Sequence, residues 1–346
     1  MFAFSLLIFV FLLAVLVSLS WSSVRLPLDE VARVLLGREA ERDAWTTIIL
    51  DVRLPRVITA TLVGIALGLA GLQMQAVFRN PLASPYTLGV VSGASLGAAL
   101  VIIVLPGLTV GLYRDTATAS AVAQAISGVG LVIGASLGAG TVLLAMLVVA
   151  SVVRDMVIVL LLGVVLSALI GALVTVLVFF ADPNQTRLFV EWGFGSFHRV
   201  RWDDVTLFAL AVGIGAVVAA LSMKQLNALL MGENYARSMG LNVRRARTLT
   251  LTSASILAGA VVAFAGPIAF LGIAIPHITR GIFGSADHRI LVPGSALTGA
   301  SVALGCGLLA EMPNSNLTLP VNAATAIVGG PIAFWVLLRM RRGWGL

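Results

Sequence analysis

Charge is scarce in this chain, and lysine is almost missing. Of 346 residues only 11% are Asp, Glu, Lys or Arg, where a soluble globular domain carries about a quarter, so a soluble globule is excluded. Lys224 is the one lysine and Gln225 follows it. No Gly-x4-Gly-Lys-Ser/Thr loop can therefore cradle a nucleotide, and any ATP hydrolysis must come from another subunit. The single cysteine, Cys306, lies in an apolar run. It excludes a disulfide framework within the chain and a cysteine metal cluster, and reads as a small core residue. The three histidines, His198, His277 and His288, form no His-Glu-x-x-His element. His277 and His288 fall at helix ends beside arginines, and Asp287-His288-Arg289 reads as a turn tied by local hydrogen bonds rather than as an acid–base set. No carboxylate falls near the middle of an apolar run: Asp155, Glu191, Asp287 and Glu311 all lie at ends. A carrier driven by an ion gradient needs such an acid, so this alternative ranks second and an intramembrane enzyme third.

What the chain has in abundance is apolar length. Hydrophobic residues make up 59% of it, glycines number 35, and mean hydropathy is +1.06, which predicts an all-α polytopic membrane protein with closely packed helices. The run from Phe2 to Ser20 has no basic residue before it and is longer than a signal-peptide core, so it reads as an uncleaved first span. Residues 22–56 form a mixed-charge connector with a short surface helix. Further spans are expected near 57–78, 88–105, 129–150, 157–180, 204–222, 248–266, 271–283, 290–310 and 320–339, about ten in all. The uncharged stretch Thr116 to Val153 is too long for one bilayer crossing and is expected to hold a span plus a re-entrant or surface piece. Pro267, Pro276, Pro293, Pro320 and Pro331 crowd the last third, where neighbouring helices or water must satisfy the backbone groups they free. Residues 1–346 read as a single transmembrane domain.

With both termini inside, the inner loops hold 12 Lys and Arg and the outer loops 10. The near tie is broken by acids: three inner against 12 outer, so the net charge of +7 belongs to the inner face. That face meets anionic lipid head groups, and nothing calls for nucleic acid. Gly64 to Gly71 and Gly259 to Gly266 share a Gly-x5-Ala-Gly frame on the second and seventh spans, which would run in opposite directions, as in the antiparallel repeats of transporters.

Two stretches carry the functional pattern. Arg53-Leu-Pro-Arg56 places two guanidinium groups at one mouth of a span, where they can face a partner. At the other end of the same span stands the polar, proline-broken corner Gln73-Met-Gln75-Ala-Val-Phe-Arg79-Asn80-Pro81-Leu-Ala83-Ser-Pro85. An arginine at the bilayer centre costs about 3 kcal/mol, so the pair belongs at the water boundary. Residues 224–247 form the largest inner loop, an unbroken helix-forming stretch that turns basic. Gly232, Ala236 and Gly240, four apart, would make one smooth face against which a soluble motor could push.

Seven ordered motifs together resemble the permease subunit of the iron-siderophore, haem and cobalamin family of ATP-binding-cassette importers, along nearly the whole chain. They are Arg53-Leu-Pro-Arg56, Gln75 to Ala83, Gly232 to Leu241, Gly266-Pro267-Ile-Ala-Phe270-Leu-Gly272, Pro276-His277-Ile-Thr-Arg280, Asp287-His288-Arg289 and Leu319-Pro320-Val-Asn-Ala-Ala-Thr325.

The resemblance implies an assembly in the bacterial inner membrane: two permeases, identical or paralogous, about a central pathway, a cassette ATPase dimer below and a periplasmic binding protein above. ATP and Mg would belong to the ATPase, with no cofactor or metal in this chain. Arg53 and Arg56 would meet acids of the binding protein. Gly232, Glu233, Ala236, Arg237, Gly240 and Leu241 would couple to the ATPase. Asp155, Met156 and Val157 would form the inner gate, the fifth span the pathway wall, and Trp192, Phe194 and Phe197 its roof. Two departures stand out. Glu311 occupies a place where many relatives have an arginine nine residues before the proline, so that third anchor is absent or reversed. The gate is bulkier and more apolar than the small hydroxyl residues of cobalamin members. The pattern Leu319 to Ala323 is nearest to the siderophore branch.

Overall fold

The computed structural model describes residues 2–22, 25–106, 116–153, 155–311 and 318–343. Arg154, one of the inner-face arginines, lies outside them. Among the described residues the regular structure is helical, apart from an isolated bridge between Trp21 and Arg25. In chain order the helices are α1 (Phe2–Ser20), α2 (Leu28–Leu35), α3 (Asp43–Phe78), α4 (Val90–Val104), α5 (Thr116–Val152), α6 (Met156–Phe179), α7 (Pro183–Gly193), α8 (Trp202–Leu221), α9 (Met223–Leu230), α10 (Glu233–Ser238), α11 (Val243–Ala265), α12 (Leu271–Phe283), α13 (His288–Glu311) and α14 (Val321–Gly343). Seven of them, α1, α3, α5, α6, α8, α11 and α13, are long and apolar enough to cross a membrane; α4, α12 and α14 are shorter apolar helices.

The most buried helices are α3 and α11, with α13 packed against α3. Their middle segments are apolar on most sides, as expected of a helix enclosed by other helices. Because lipid is as apolar as a leucine side chain, what holds such helices together is close backbone approach and buried hydrogen bonds. Gly64 of α3 lies against Gly299 of α13, and a Cβ added to either would strike the other's carbonyl. Gly71 packs in the same way on the carbonyl of Gly272. Pro276, four residues on, has no N–H to offer that carbonyl, so a proline and a distant glycine share one contact. Polar ties run beside these contacts: Gln73 Nε2 donates to Ser253 Oγ at 2.9 Å, and Ser253 Oγ in turn reaches Gly215 O at 2.9 Å, joining α3, α11 and α8.

The sequence Gly-Ala-Ser-Leu-Gly occurs twice, at 93–97 and 134–138. The copies face each other across α4 and α5: Gly93 meets Gly138 and Gly97 meets Gly134, each too close for a side chain. The reversed order makes the two helices antiparallel. Both copies also spell Gly-x-Ser-x-Gly, but they sit inside continuous helices, and Ser95 Oγ donates to Val91 O at 3.0 Å. No strand-to-helix elbow presents a nucleophile there.

Two expectations need correction. Thr116 to Val152 is one helix of 37 residues, not a span plus a separate piece. It contains no proline to end it, and at about 1.5 Å per residue it is far longer than the roughly 30 Å hydrocarbon core, so one end projects beyond it. The 224–247 loop is not unbroken either. Gly232, at φ +106°, separates α9 from α10, and Gly240, at φ +81°, follows α10 before α11 begins. Both angles lie where only glycine is comfortable. The expected surface helix after residue 22 is present as α2.

Candidate functional site

The contacts along α3 and α13 define two ends of the bundle. At one end, Arg53 and Arg56 do not stand in solvent: both are buried, at 3% and 7% exposure. Arg53 Nη1 donates to Leu19 O at 2.5 Å, at the end of α1. The π-turn over Ile48–Arg53 ahead of Pro55 positions it there, widening α3 where the proline removes a donor. Arg56 is ion-paired with Glu311 at the end of α13, and its Nη2 donates to Gly307 O at 3.4 Å. His198 Nε2 lies 3.4 Å from the same Glu311 Oε1. The other oxygen, Oε2, is buried with no hydrogen-bond partner among the described residues. These groups border a cavity of about 420 Å³ walled by Phe194, Leu319 and Val321. Burial, with Arg56 adding to it, pushes the His198 imidazole down to about 4, so it is neutral near pH 7. The position read as a lost or reversed anchor is therefore an internal counter-ion, a pairing that no local pattern reveals.

The roof residues divide. Trp192 is buried and stacks on Phe189 with ring centroids 5.9 Å apart. Phe197 is buried over Gly307. Phe194 alone of the three is open to solvent. The short helix expected here is α7, opened by Pro183 after the capping residue Asp182. It hands over to the α11–α12 link through Ser196 N, which donates to Ala265 O at 2.8 Å. Asn322 closes the same corner, its Oδ1 accepting from Ala269 N at 3.0 Å.

At the opposite end, Arg280 Nη1 donates to Gln75 Oε1 at 2.6 Å, and His277 Nε2 lies 2.9 Å from Pro81 O. The corner after α3 is thus tied to α12. Asp287-His288-Arg289 forms the locally bonded turn its sequence indicates: Asp287 Oδ1 accepts from Arg289 N at 2.9 Å and from Asn227 Nδ2 of α9 at 2.6 Å. Those donors hold the Asp287 carboxyl below its usual range.

The glycine–alanine face of the loop is reversed in the fold. Ala236 is fully buried, while Gly232 and Gly240 lie outside the helix. The residues turned outward are Met231, Tyr235 and Met239, again four apart, all more than half exposed. Glu233 pairs with Arg247 and, at 3.3 Å, with Arg237, tying α10 to the start of α11; Leu241 is half-buried behind it. Asp155 caps α6, its Oδ1 accepting from Val157 N at 2.8 Å. Met156 turns inward and Val157 outward. Beyond Val157, α6 is one of the two least covered of the long spans, exposing Leu161, Val165, Leu169, Leu173 and Val176 along its length. A helix this apolar and this uncovered faces lipid, a second subunit or a pathway. Among the described residues no group of three or more His, Cys, Asp or Glu could hold a metal ion.

Residues 8–339 match the FecCD transport family. The chain belongs to that family. A FecCD relative, the hemin transport system permease protein HmuU of Yersinia pestis, is 36% identical over 334 residues, 96% of this chain and 95% of that one. The vitamin B12 import system permease protein BtuC of Klebsiella pneumoniae is 33% identical over 295 residues, 84% and 82% of the two chains. Among solved structures, a metal-chelate type ABC transporter in an inward-facing conformation superposes with a TM-score of 0.82 at 27% identity, covering 98% of this chain and 99% of the other. This FecCD chain is a multi-pass membrane protein and an ABC-importer permease.

Proposed function

We propose that this FecCD chain is the membrane subunit through which a metal chelate passes from periplasm to cytoplasm, powered by a separate cassette ATPase. The observation that carries this is the α10 end: a compact element fixed by the Glu233 ion pairs and presenting Met231, Tyr235 and Met239. An apolar knob on a charged frame is what a rigid push needs, and the chain has no nucleotide loop of its own to supply the push. Closure of the ATPase against α10 shifts α11 and the end of α5, and through them the gate at Asp155, Met156 and Val157.

The same reading makes ten crossings of the seven long and three short apolar helices, with α3 and α11 as the related members of an antiparallel repeat and both termini in the cytoplasm. The exposed face of α6 pairs with a second permease, identical or paralogous, and lines the pathway between them. A binding protein docks at the Arg56 end. Arg56 lies at the edge of the cavity there, and an incoming carboxylate can take it from Glu311, whereas Arg53 supports the site from behind. Charge exchange of that kind sets orientation and encounter rate. The cargo is a ferric siderophore, haem, cobalamin or a similar chelate, with the siderophore branch favoured by Leu319 to Ala323. Uptake of labelled chelates into liposomes holding the permease, its ATPase and the binding protein tests the reading. Uptake that requires both internal ATP and the binding protein supports it; uptake driven by a proton gradient without either partner overturns it in favour of a secondary carrier.

A further inference from the structure

The groove between α5 and α11 has one basic end and one apolar end. The basic end is a cavity of about 540 Å³ between the last turn of α5 and the start of α11, bordered by Ser151, Arg237, Asn242, Arg244, Arg247 and Thr248. Three guanidinium groups meet there, and Glu233 is paired with two of them, Arg237 and Arg247. The helix adds to the imbalance. Arg244, Arg245 and Arg247 fall in the opening residues of α11, whose first turn carries no acidic side chain. The N-terminal end of a helix is the positive end of its dipole, where cations are disfavoured and anions welcomed. Arginines concentrated on that end leave a positive potential that an anion would relieve.

One helical turn further into the bundle, from Leu251 to Ser255, a second cavity of about 390 Å³ opens in the same groove. Its walls are Leu137 and Leu143 of α5, Leu207 of α8, and Ile256, Gly259 and Phe264 of α11. Gly140, with nothing near the place its Cβ would take, keeps the α5 side shallow. In the sequence between Leu143 of the trough and Ser151 of the basic cavity, α5 exposes Leu144 and Val148. An anion site with an apolar trough one turn of α11 away has the shape of an amphiphile.

We propose that an anionic phospholipid occupies this groove, its phosphate among Arg237, Arg244 and Arg247 and an acyl chain in the trough between α5, α8 and α11. Basic pockets between membrane helices are suited to such head groups. A free phosphate would use only the first cavity. The bound lipid bridges the end of α5, next to Asp155, to α10 and α11, so its departure loosens the link between these elements.

Native mass spectrometry of the full chain, titrated in turn with phosphatidylglycerol, phosphatidylcholine of the same acyl chains and inorganic phosphate, tests this. The expected result is phosphatidylglycerol bound at one site per chain in clear preference to phosphatidylcholine. Arg244→Gln, at an exposed position, should weaken it about fivefold, as expected for one interfacial basic residue, and Arg244→Lys should restore most of the loss. Leu137→Trp, which fills the trough, should lower phosphatidylglycerol binding and leave inorganic phosphate unaffected. Equal binding of the two lipids, or indifference to both Arg244→Gln and Leu137→Trp, would overturn the proposal. Inorganic phosphate that competes fully at equal concentration would reduce the site to an anion pocket. A dimer that excludes phosphatidylglycerol from the groove would assign the groove to a second copy of the chain.

Discussion

Arg56, in the first half of α3, and Glu311, the last residue of α13, are ion-paired inside the fold at 7% and 5% exposure. Removing one member of a desolvated pair leaves the other charge buried and costs about 3–5 kcal/mol, whereas replacing both by apolar groups is often neutral. Glu311→Ala is therefore expected to destabilise the purified protein by that amount, and Arg56→Met with Glu311→Leu to recover most of it. Thermal unfolding of the two single variants and the double variant gives the coupling energy. Additive losses would mean that the pair is solvated and contributes little.

His198 shares the Glu311 oxygen, and its neutral form prevails down to about 4. The unfolded chain takes up the proton near the ordinary histidine value of about 6.5. Between these values the unfolded state binds more protons than the folded one, so stability is full above about pH 6.5 and declines as pH falls toward about 4. Nearly half of the His198 side chain is exposed, at 47%, and Glu311 draws the proton in the opposite direction, so the slope is shallow. Unfolding midpoints measured from pH 7.5 to 4 should decline less for His198→Gln than for the unaltered protein. Parallel curves would place the acid sensitivity elsewhere.

The outward row on α10 predicts which side chains transmit force. Tyr235→Ala with Met239→Ala should leave the permease folded, because both residues are exposed, while reducing ATP-driven uptake by about tenfold or more if they fill a partner's pocket as buried anchors do. Ala236→Leu acts differently. It forces extra volume into a fully buried position and should lower stability by about 1–3 kcal/mol before it affects coupling. The ratio of chelate moved to ATP hydrolysed, set beside the unfolding midpoint, separates the two. Normal transport in the Tyr235/Met239 variant would remove these side chains from the coupling role.

Much of this could be read along the chain. The apolar helices stand where the hydropathy runs put them, because the bilayer imposes length and composition on a segment whatever its neighbours are. The locally bonded turn at Asp287 was legible for a similar reason: the main-chain donor to its carboxylate, Arg289 N, lies two residues on. What failed depended on partners distant in sequence. Arg56 reads as a surface cation until α13 brings Glu311 to it. The loop from Lys224 was misread in phase, since a helix that restarts after Gly232 turns Ala236 inward and its neighbour Tyr235 outward. Thr116 to Val152 was divided on the assumption that a helix stops at the membrane boundary, although nothing in its residues ends it. The two Gly-Ala-Ser-Leu-Gly copies went unmarked among many Gly/Ala-rich stretches, because their contact follows only from knowing that α4 and α5 are neighbours.

That contact supplies a direct test of the packing. A Cβ on Gly97 or Gly134 would collide with the facing backbone, which cannot rotate away as a side chain can. Gly140, two residues beyond Gly138 on the same helix, has open space where its Cβ would lie. Gly97→Ala should therefore separate α4 from α5 and cost about 1–3 kcal/mol as an overpacked contact. Gly140→Ala removes backbone freedom from the unfolded chain at no steric cost and should add about 0.5–1 kcal/mol. Both substitutions add one methyl group to a glycine in the same helical pair, so differences in hydrophobicity and propensity largely cancel and the comparison isolates the close approach. Unfolding of the two variants in the same detergent decides it. If Gly97→Ala proves as harmless as Gly140→Ala, the helices do not meet through these glycines, and the α4–α5 pair is held by its side chains instead.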